Sequence, residues 1–208
     1  MIEFLSAEYW NERYLNNASQ WDLGMVSPPL KSYIDQLENK ELAILIPGAG
    51  NSYEAVYLME QGFTNITVID FAPAVIEGLQ QKYSDQKNIQ FIDTDFFKCN
   101  GKYDLILEQT FFCALDPSLR SNYVKHMANL LKPKGKLVGL LFNRTFEGGP
   151  PFGGDLESYQ QLFESYFTFE TIESCHNSVA PRANTELFFI ATPLALVDLN
   201  NGNYPIPR

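Results

Sequence analysis

Between residues 42 and 142, five short apolar runs alternate with segments of helical spacing, and this alternation restricts the fold more than any other feature of the chain. The runs are LAILI (42–46), ITVID (66–70), IQFI (89–92), YDLILE (103–108) and KLVGLLF (136–142). Each is short and nearly continuous in Val, Ile and Leu, which suits a strand buried on both faces. Helices are expected from Asn51 or Ser52 to about Gln61, over 73–83, and over 117–131, the last ended by the KPKG turn at 132–135. Strands separated by helices form βαβ units, and these build a parallel sheet with helices on both faces.

After residue 142 the pattern changes. A Gly/Pro loop, EGGPPFGG, precedes a helix near 155–165, and two strand-like runs follow, about 167–175 and 185–192, with no helix between them. Two such runs are most simply an antiparallel hairpin. Ahead of the alternation lie a helix over 6–17 with Ser6 as its cap, a WDLGMVSPP loop (21–29) and a short second helix over 30–38. The expected fold is α/β and Rossmann-like: three α/β/α layers around a seven-stranded, mostly parallel sheet that ends in an antiparallel hairpin, the architecture of class I methyltransferases. One domain is expected over 1–208, with an N-terminal helical arm (1–40), an α/β core (41–193) and a tail (194–208).

A chain of 208 residues suits one domain with a sizeable core, and 45% hydrophobic with 19% charged residues suits a globular protein. The net charge of −10 argues against nucleic acid or anionic membrane as partner, since both reward basic patches. Cys99, Cys113 and Cys175 are widely spaced and odd in number, and only His126 and His176 could supply imidazole. Reduced thiols and no metal site are therefore expected. The start, MIEFLSAEYW, has no signal-peptide character, and no apolar run approaches the ~20 residues that a membrane helix needs. A cytoplasmic protein is expected.

The residues at the strand ends carry the chemistry. LAILI breaks on Pro47, Gly48 and Gly50 before a helix. In an open α/β sheet, ligands bind beyond the carboxyl ends of the strands, and glycine lets the backbone come close. The dinucleotide fingerprint wants a third glycine where Tyr53 stands, because a pyrophosphate packs against the helix N-terminus there. S-adenosylmethionine has no phosphate, so two glycines suffice for it. Asp70 ends the next strand and can accept both hydroxyls of a ribose, or can be a solvated strand-end or capping aspartate. Phe71 follows it. Asp95, past the third strand, can take an adenine amino group, and Phe96 can pack on the ring. Asp95 can equally cap a turn, and Phe96 can equally be core. Glu108 and Gln109 lie at the lip of the fourth strand. Phe111, Phe112 and Cys113 follow, more in the manner of a core than of a catalyst, and Cys113 has no nearby base to make it a nucleophile. Arg144 lies in the loop after the fifth strand. It could pair with a substrate anion or be a solvated surface cation.

With these residues assembled, the chain resembles the thiopurine S-methyltransferase superfamily, and within it the halide/thiol methyltransferase branch. The matching pieces run in order: Trp21-Asp22-Leu23-Gly24 and Pro28-Pro29; Ile46-Pro47-Gly48-Ala49-Gly50; Val68-Ile69-Asp70; Asp95-Phe96-Phe97; Tyr103 to Ile106 leading to Thr110 to Leu115; Leu130 to Pro133; and Gly148 to Pro151. The resemblance implies an N-terminal arm folded over bound S-adenosylmethionine. Trp10, Tyr14 and Trp21 would line the cofactor, with tyrosine at 14 where that branch typically has tryptophan. Gly48, Asp70, Asp95 and Phe96 match its cofactor contacts. Gln109 departs from the branch's usual tyrosine beside the transferred methyl.

The implied reaction is in-line methyl transfer to a small soft nucleophile: a thiol, sulfide, selenide or halide. Its products are the methylated acceptor and S-adenosylhomocysteine. Cofactor-binding residues are expected to be Trp10, Tyr14, Trp21, Gly48, Gly50, Asp70, Phe71, Asp95, Phe96 and Gln109. Glu108 and Gln109 are expected to position the acceptor, with Asp22, Phe112 and Arg144 as its further contacts. The partner is a small-molecule acceptor, met by a monomer or weak dimer. Three alternatives stay open: methyl transfer to oxygen or nitrogen of a small metabolite, an NAD-linked oxidoreductase, and a non-catalytic cofactor-binding protein.

Overall fold

A computed structural model describes residues 4–16, 18–48 and 50–195; of the expected tail, 196–208 lies outside the described residues. Among the described residues, seven strands form one sheet: β1 (Ile44–Pro47), β2 (Ile66–Asp70), β3 (Ile89–Asp93), β4 (Tyr103–Glu108), β5 (Leu131–Phe142), β6 (Phe167–Ser174) and β7 (Glu186–Pro193). Their order is β3-β2-β1-β4-β5-β7-β6. The first five pair in parallel, and β7 runs antiparallel to both β5 and β6. The sheet is the expected one, hairpin included. Strand order reverses between β1 and β4, which is where such sheets open a ligand crevice.

Among the described residues, six α-helices cover the sheet: α1 (Ala7–Leu15), α2 (Pro28–Ile34), α3 (Tyr53–Glu60), α4 (Pro73–Lys82), α5 (Arg120–Leu130) and α6 (Leu156–Phe163). The period-2 pleat divides the core into two layers. Ile44 and Ile46 of β1 join Leu58, Val68 and Leu79 on one face, and Leu45 joins Ile106, Met127 and Phe163 on the other.

Three boundaries differ from expectation for local reasons. Helix α5 begins at Arg120 rather than at 117, because Pro117–Leu119 is a 3-10 turn whose cap, Asp116, accepts the Ser118 N–H at 2.8 Å. Helix α2 starts earlier, on Pro28 and Pro29, whose fixed φ suits a first turn. The KPKG segment does not separate α5 from its strand. Pairing with β4 starts at Leu131, skips residues 132–135 with Lys134 at φ +66°, and resumes at Lys136. Among the described residues no helix is long and apolar enough to cross a membrane.

Candidate active site

A cleft of about 700 Å³ opens at the carboxyl ends of β1, β2 and β4. Its floor is the turn after β1. Gly48 has φ +70°, its N–H donates to the Ile69 carbonyl at 2.9 Å, and a Cβ there would lie 2.7 Å from the Phe111 ring. Only glycine satisfies both the left-handed backbone and that close approach. Gly50 has φ +48°, and a Cβ on it would sit 3.5 Å from the Tyr14 hydroxyl, so the N-terminal arm lies directly over the turn.

The arm is tied down at several points. Asn11 Oδ1 accepts the Ala74 N–H at 2.9 Å, supplying to α4 a cap that Ala72, at its N-cap position, lacks. Trp21 meets Trp10 and Tyr14 edge-on at 5.5 and 5.7 Å, and the Arg13 guanidinium lies 5.0 Å over the Trp21 ring. Asp22 faces the cleft with both oxygens engaged: Oδ1 accepts from Gly24 N–H at 2.6 Å, and Oδ2 from the Asn51 amide and the Tyr53 hydroxyl. Tyr53, at the absent third glycine, thus holds the arm. Burial, and then the charge of Asp70, pushes the Tyr14 hydroxyl's pKa well up.

Asp70 and Phe71 line the same wall, and Asp70 Oδ1 accepts from Ala72 N–H at 2.9 Å. Asp95 faces the cleft and also caps a turn, accepting from Phe97 N–H at 2.9 Å. Phe96 is at once core and cleft wall, edge-on to Phe111 at 5.1 Å. Both residues keep the structural roles named as alternatives, a turn cap and a core ring, while also lining the cleft.

The turn after β4 separates neighbours. Gln109 faces the cleft, and its Oε1 is buried without a hydrogen-bond partner. Thr110 follows at φ +59°, a conformation costly outside glycine and concentrated at functional sites. Glu108 and Phe112 point the other way, which corrects their expected contact with acceptor. Glu108 has no exposed surface. It accepts from Phe111 N–H, Phe112 N–H and the Tyr123 hydroxyl at 2.8, 2.9 and 2.8 Å. Burial outweighs these bonds and raises its pKa to about 7. The pleat turns Glu108 into the layer under α5, where it fixes the turn that presents Gln109. Phe112 packs among Tyr123, Tyr159 and Phe163. Cys113 touches the cleft, but burial pushes its thiol up to about 12, so it stays protonated.

One cleft residue had no signal in the sequence. Arg182, in the turn before β7, is 8% exposed. It donates to the Trp21 carbonyl at 2.7 Å, pairs with Glu186 at 3.5 Å and lies 5.6 Å over the Phe142 ring. Arg144 also lines the cleft, 4.7 Å over Phe146. Neither histidine nor lysine is among the cleft residues. The arrangement offers aromatic faces, engaged carboxylates and arginines, and so suits a cation beside an anionic acceptor.

The family model described as thiopurine S-methyltransferase matches residues 5–191. "Probable thiol methyltransferase 2" of Arabidopsis thaliana is 30% identical over 185 residues, covering 85% of this chain and 81% of its own. "Thiocyanate methyltransferase 1" of Brassica oleracea is 28% identical, with the same coverage. Among solved structures, the 1,6-didemethyltoxoflavin-N1-methyltransferase of Burkholderia thailandensis, with S-adenosylhomocysteine bound, superposes with a TM-score of 0.70. It is 17% identical and covers 91% of this chain and 87% of its own, a likeness of fold.

Proposed function

The chain belongs to the thiopurine S-methyltransferase family and is an S-adenosylmethionine-dependent methyltransferase, and from that premise we propose that its acceptor is a small thiol or a similarly soft anion. The observation that carries this choice is Arg182, a buried cation facing an aromatic cleft in a chain of net charge −10. An acceptor that ionises by itself fits a cleft without histidine or lysine. A thiol with a pKa of about 8.5 is a few per cent thiolate at neutral pH and needs no dedicated base.

When bound, S-adenosylmethionine supplies an electrophilic methyl on a cationic sulfur, which the acceptor thiolate takes in line, leaving that sulfur neutral with the bonding electron pair. Trp10, Tyr14 and Trp21 turn aromatic faces and edges to the cleft, and a cation there gains roughly 0.5–2 kcal/mol per well-placed face. In this reading Asp70 accepts ribose hydroxyls, and Asp95 accepts an adenine amino group. Gly48 and Gly50 let the backbone approach the amino-acid moiety. Phe71 and Phe96 complete the apolar wall. The unpartnered Gln109 Oε1 suits a ligand that brings a donor to the turn after β4. Arg182 holds the acceptor anion, and the arm excludes water. The three cysteines are buried and free, which supports a reducing, cytoplasmic setting. The net charge supports action on a small molecule rather than on nucleic acid or a membrane.

Gln109 favours one second reading. Its Oε1 can accept from an acceptor N–H or O–H, as transfer to nitrogen or oxygen of a small metabolite would use. Thermal melts with S-adenosylhomocysteine, followed by methyl transfer to a panel of thiols, iodide, thiocyanate, amines and phenols, decide the matter. A raised melting temperature and transfer to the soft anions are expected. Transfer confined to amines or hydroxyls establishes the second reading. Asp70→Ala should remove most of the ligand-induced shift, and an unchanged shift would make Asp70 purely structural.

A further inference from the structure

Arg182, Phe142, Phe146 and Arg144 form a continuous ladder along one wall of the cleft. Arg182 lies 5.6 Å over the Phe142 ring, Phe142 meets Phe146 edge-on at 5.0 Å, and Arg144 lies 4.7 Å over Phe146. All four line the cleft. The inner arginine is buried and the outer one exposed, so the ladder runs from the interior to the mouth. A cation stands at each end, with apolar rings between them.

A halide or hydrosulfide would engage the inner cation alone. The backbone that carries the outer one is fixed, while its side chain is exposed at the mouth. Its own carbonyl accepts from Gly154 N–H at 3.1 Å, and a Cβ on Gly153 would meet that carbonyl at 1.7 Å, so the loop packs to contact. The preceding residue, Asn143, donates its N–H to Thr185 at 2.8 Å. Among the described residues Arg144 makes no ion pair, although carboxylates are near the cleft. Those carboxylates have other partners: Asp22 holds the arm, Asp116 accepts from Ser118, and Glu54 accepts from Ser27 N–H.

We propose that the acceptor is a thiol whose apolar body ends in a carboxylate remote from the sulfur, and that Arg144 reads that carboxylate while Arg182 faces the sulfur. This rests on the thiol reading above and deepens it. The body lies along Phe142 and Phe146, the carboxylate meets Arg144, and the sulfur approaches Arg182, whose charge Glu186 already shares at 3.5 Å. Guanidinium and carboxylate meet in a forked pair, which gives direction as well as attraction.

Three thiols of similar size and long enough to reach from one arginine to the other test it: 6-mercaptohexanoate, 1-hexanethiol and 6-amino-1-hexanethiol, with kcat/KM compared per thiolate present. For the unaltered protein, 6-mercaptohexanoate should exceed 1-hexanethiol by about fivefold or more, as a charge-assisted contact at a partly wet site supplies. The amino thiol should fall below 1-hexanethiol. Arg144→Gln should bring the first ratio to about one, and Arg144→Lys should retain part of it. Equal turnover of 6-mercaptohexanoate and 1-hexanethiol by the unaltered protein, or a preference that survives Arg144→Gln, overturns the inference and leaves thiol transfer intact. If no thiol is methylated while S-adenosylhomocysteine still raises the melting temperature, the thiol reading itself falls and this inference with it.

Discussion

Glu108 has no exposed surface and three hydrogen-bond donors, yet its carboxyl titrates near 7 because burial disfavours the charge more than the donors favour it. The sign follows from proton counts. Between the ordinary carboxyl range and about pH 7, the native Glu108 holds a proton that the unfolded one has released. Its contribution is therefore fully present below the unfolded pKa and is lost as pH rises through about 7. The span corresponds to about 3 kcal/mol. Burial raises the Glu54 pKa in the same sense, whereas burial lowers that of His126, which acts the opposite way. The comparison with Glu108→Gln isolates the residue: the amide keeps an oxygen for Phe111 and Phe112 and cannot titrate. Melting temperatures measured from about pH 5 to about pH 7.5 should decline more steeply for the unaltered protein than for Glu108→Gln. Parallel curves would show that Glu108 remains ionised throughout.

At the scale of elements, α1 is the one whose order depends on its neighbours. It has nine residues, none of them buried. A helix this short is marginal by itself. What holds it is side-chain docking: Asn11 on Ala74, Arg13 over Trp21, and Tyr14 above Gly50. Helix α4 depends on the same contact, since Ala72 gives it no side-chain cap. Asn11→Ala should cost about 1 kcal/mol, as loss of a cap does, and weaken S-adenosylhomocysteine binding several-fold by loosening the arm. Denaturant midpoints and calorimetric titration measure the two effects. A stability loss with unchanged affinity would confine Asn11 to capping. The last two strands show the opposite dependence. Their register across β5 and β6 is fixed by a long antiparallel ladder on β7 and needs no ligand.

Over the whole molecule, stability and function divide by place. The sheet centre, β1, β4 and β5, is buried between both core layers, while the cleft is roofed by an arm attached through a few polar ties. Local opening should follow that division. In hydrogen exchange, the amides of residues 7–15 should exchange early in the free protein and become protected with S-adenosylhomocysteine bound. Those of β1, β4 and β5 should stay slow in both states. Equal protection of the arm with and without ligand would mean that the roof is closed independently of the cofactor.

The sequence by itself determined the order of strands and helices, the terminal hairpin, and the strand ends that line the cleft. These are local matters: a period of two or 3.6, Gly48 before a helix, Asp70 and Asp95 at strand ends. The family's motifs added the arm and the cofactor. Only the tertiary structure decided which of two adjacent residues faces the cleft. Glu108 and Gln109 are both polar, and the pleat sends one into the core and the other to the cleft, a choice that follows from which helix covers which face. The same holds for Arg182. It reaches the carbonyl of Trp21, 161 residues away in the chain, and no local pattern encodes that meeting. The fold brings the arm and the last hairpin to one edge of the sheet, and that convergence puts the Arg182 charge at the cleft.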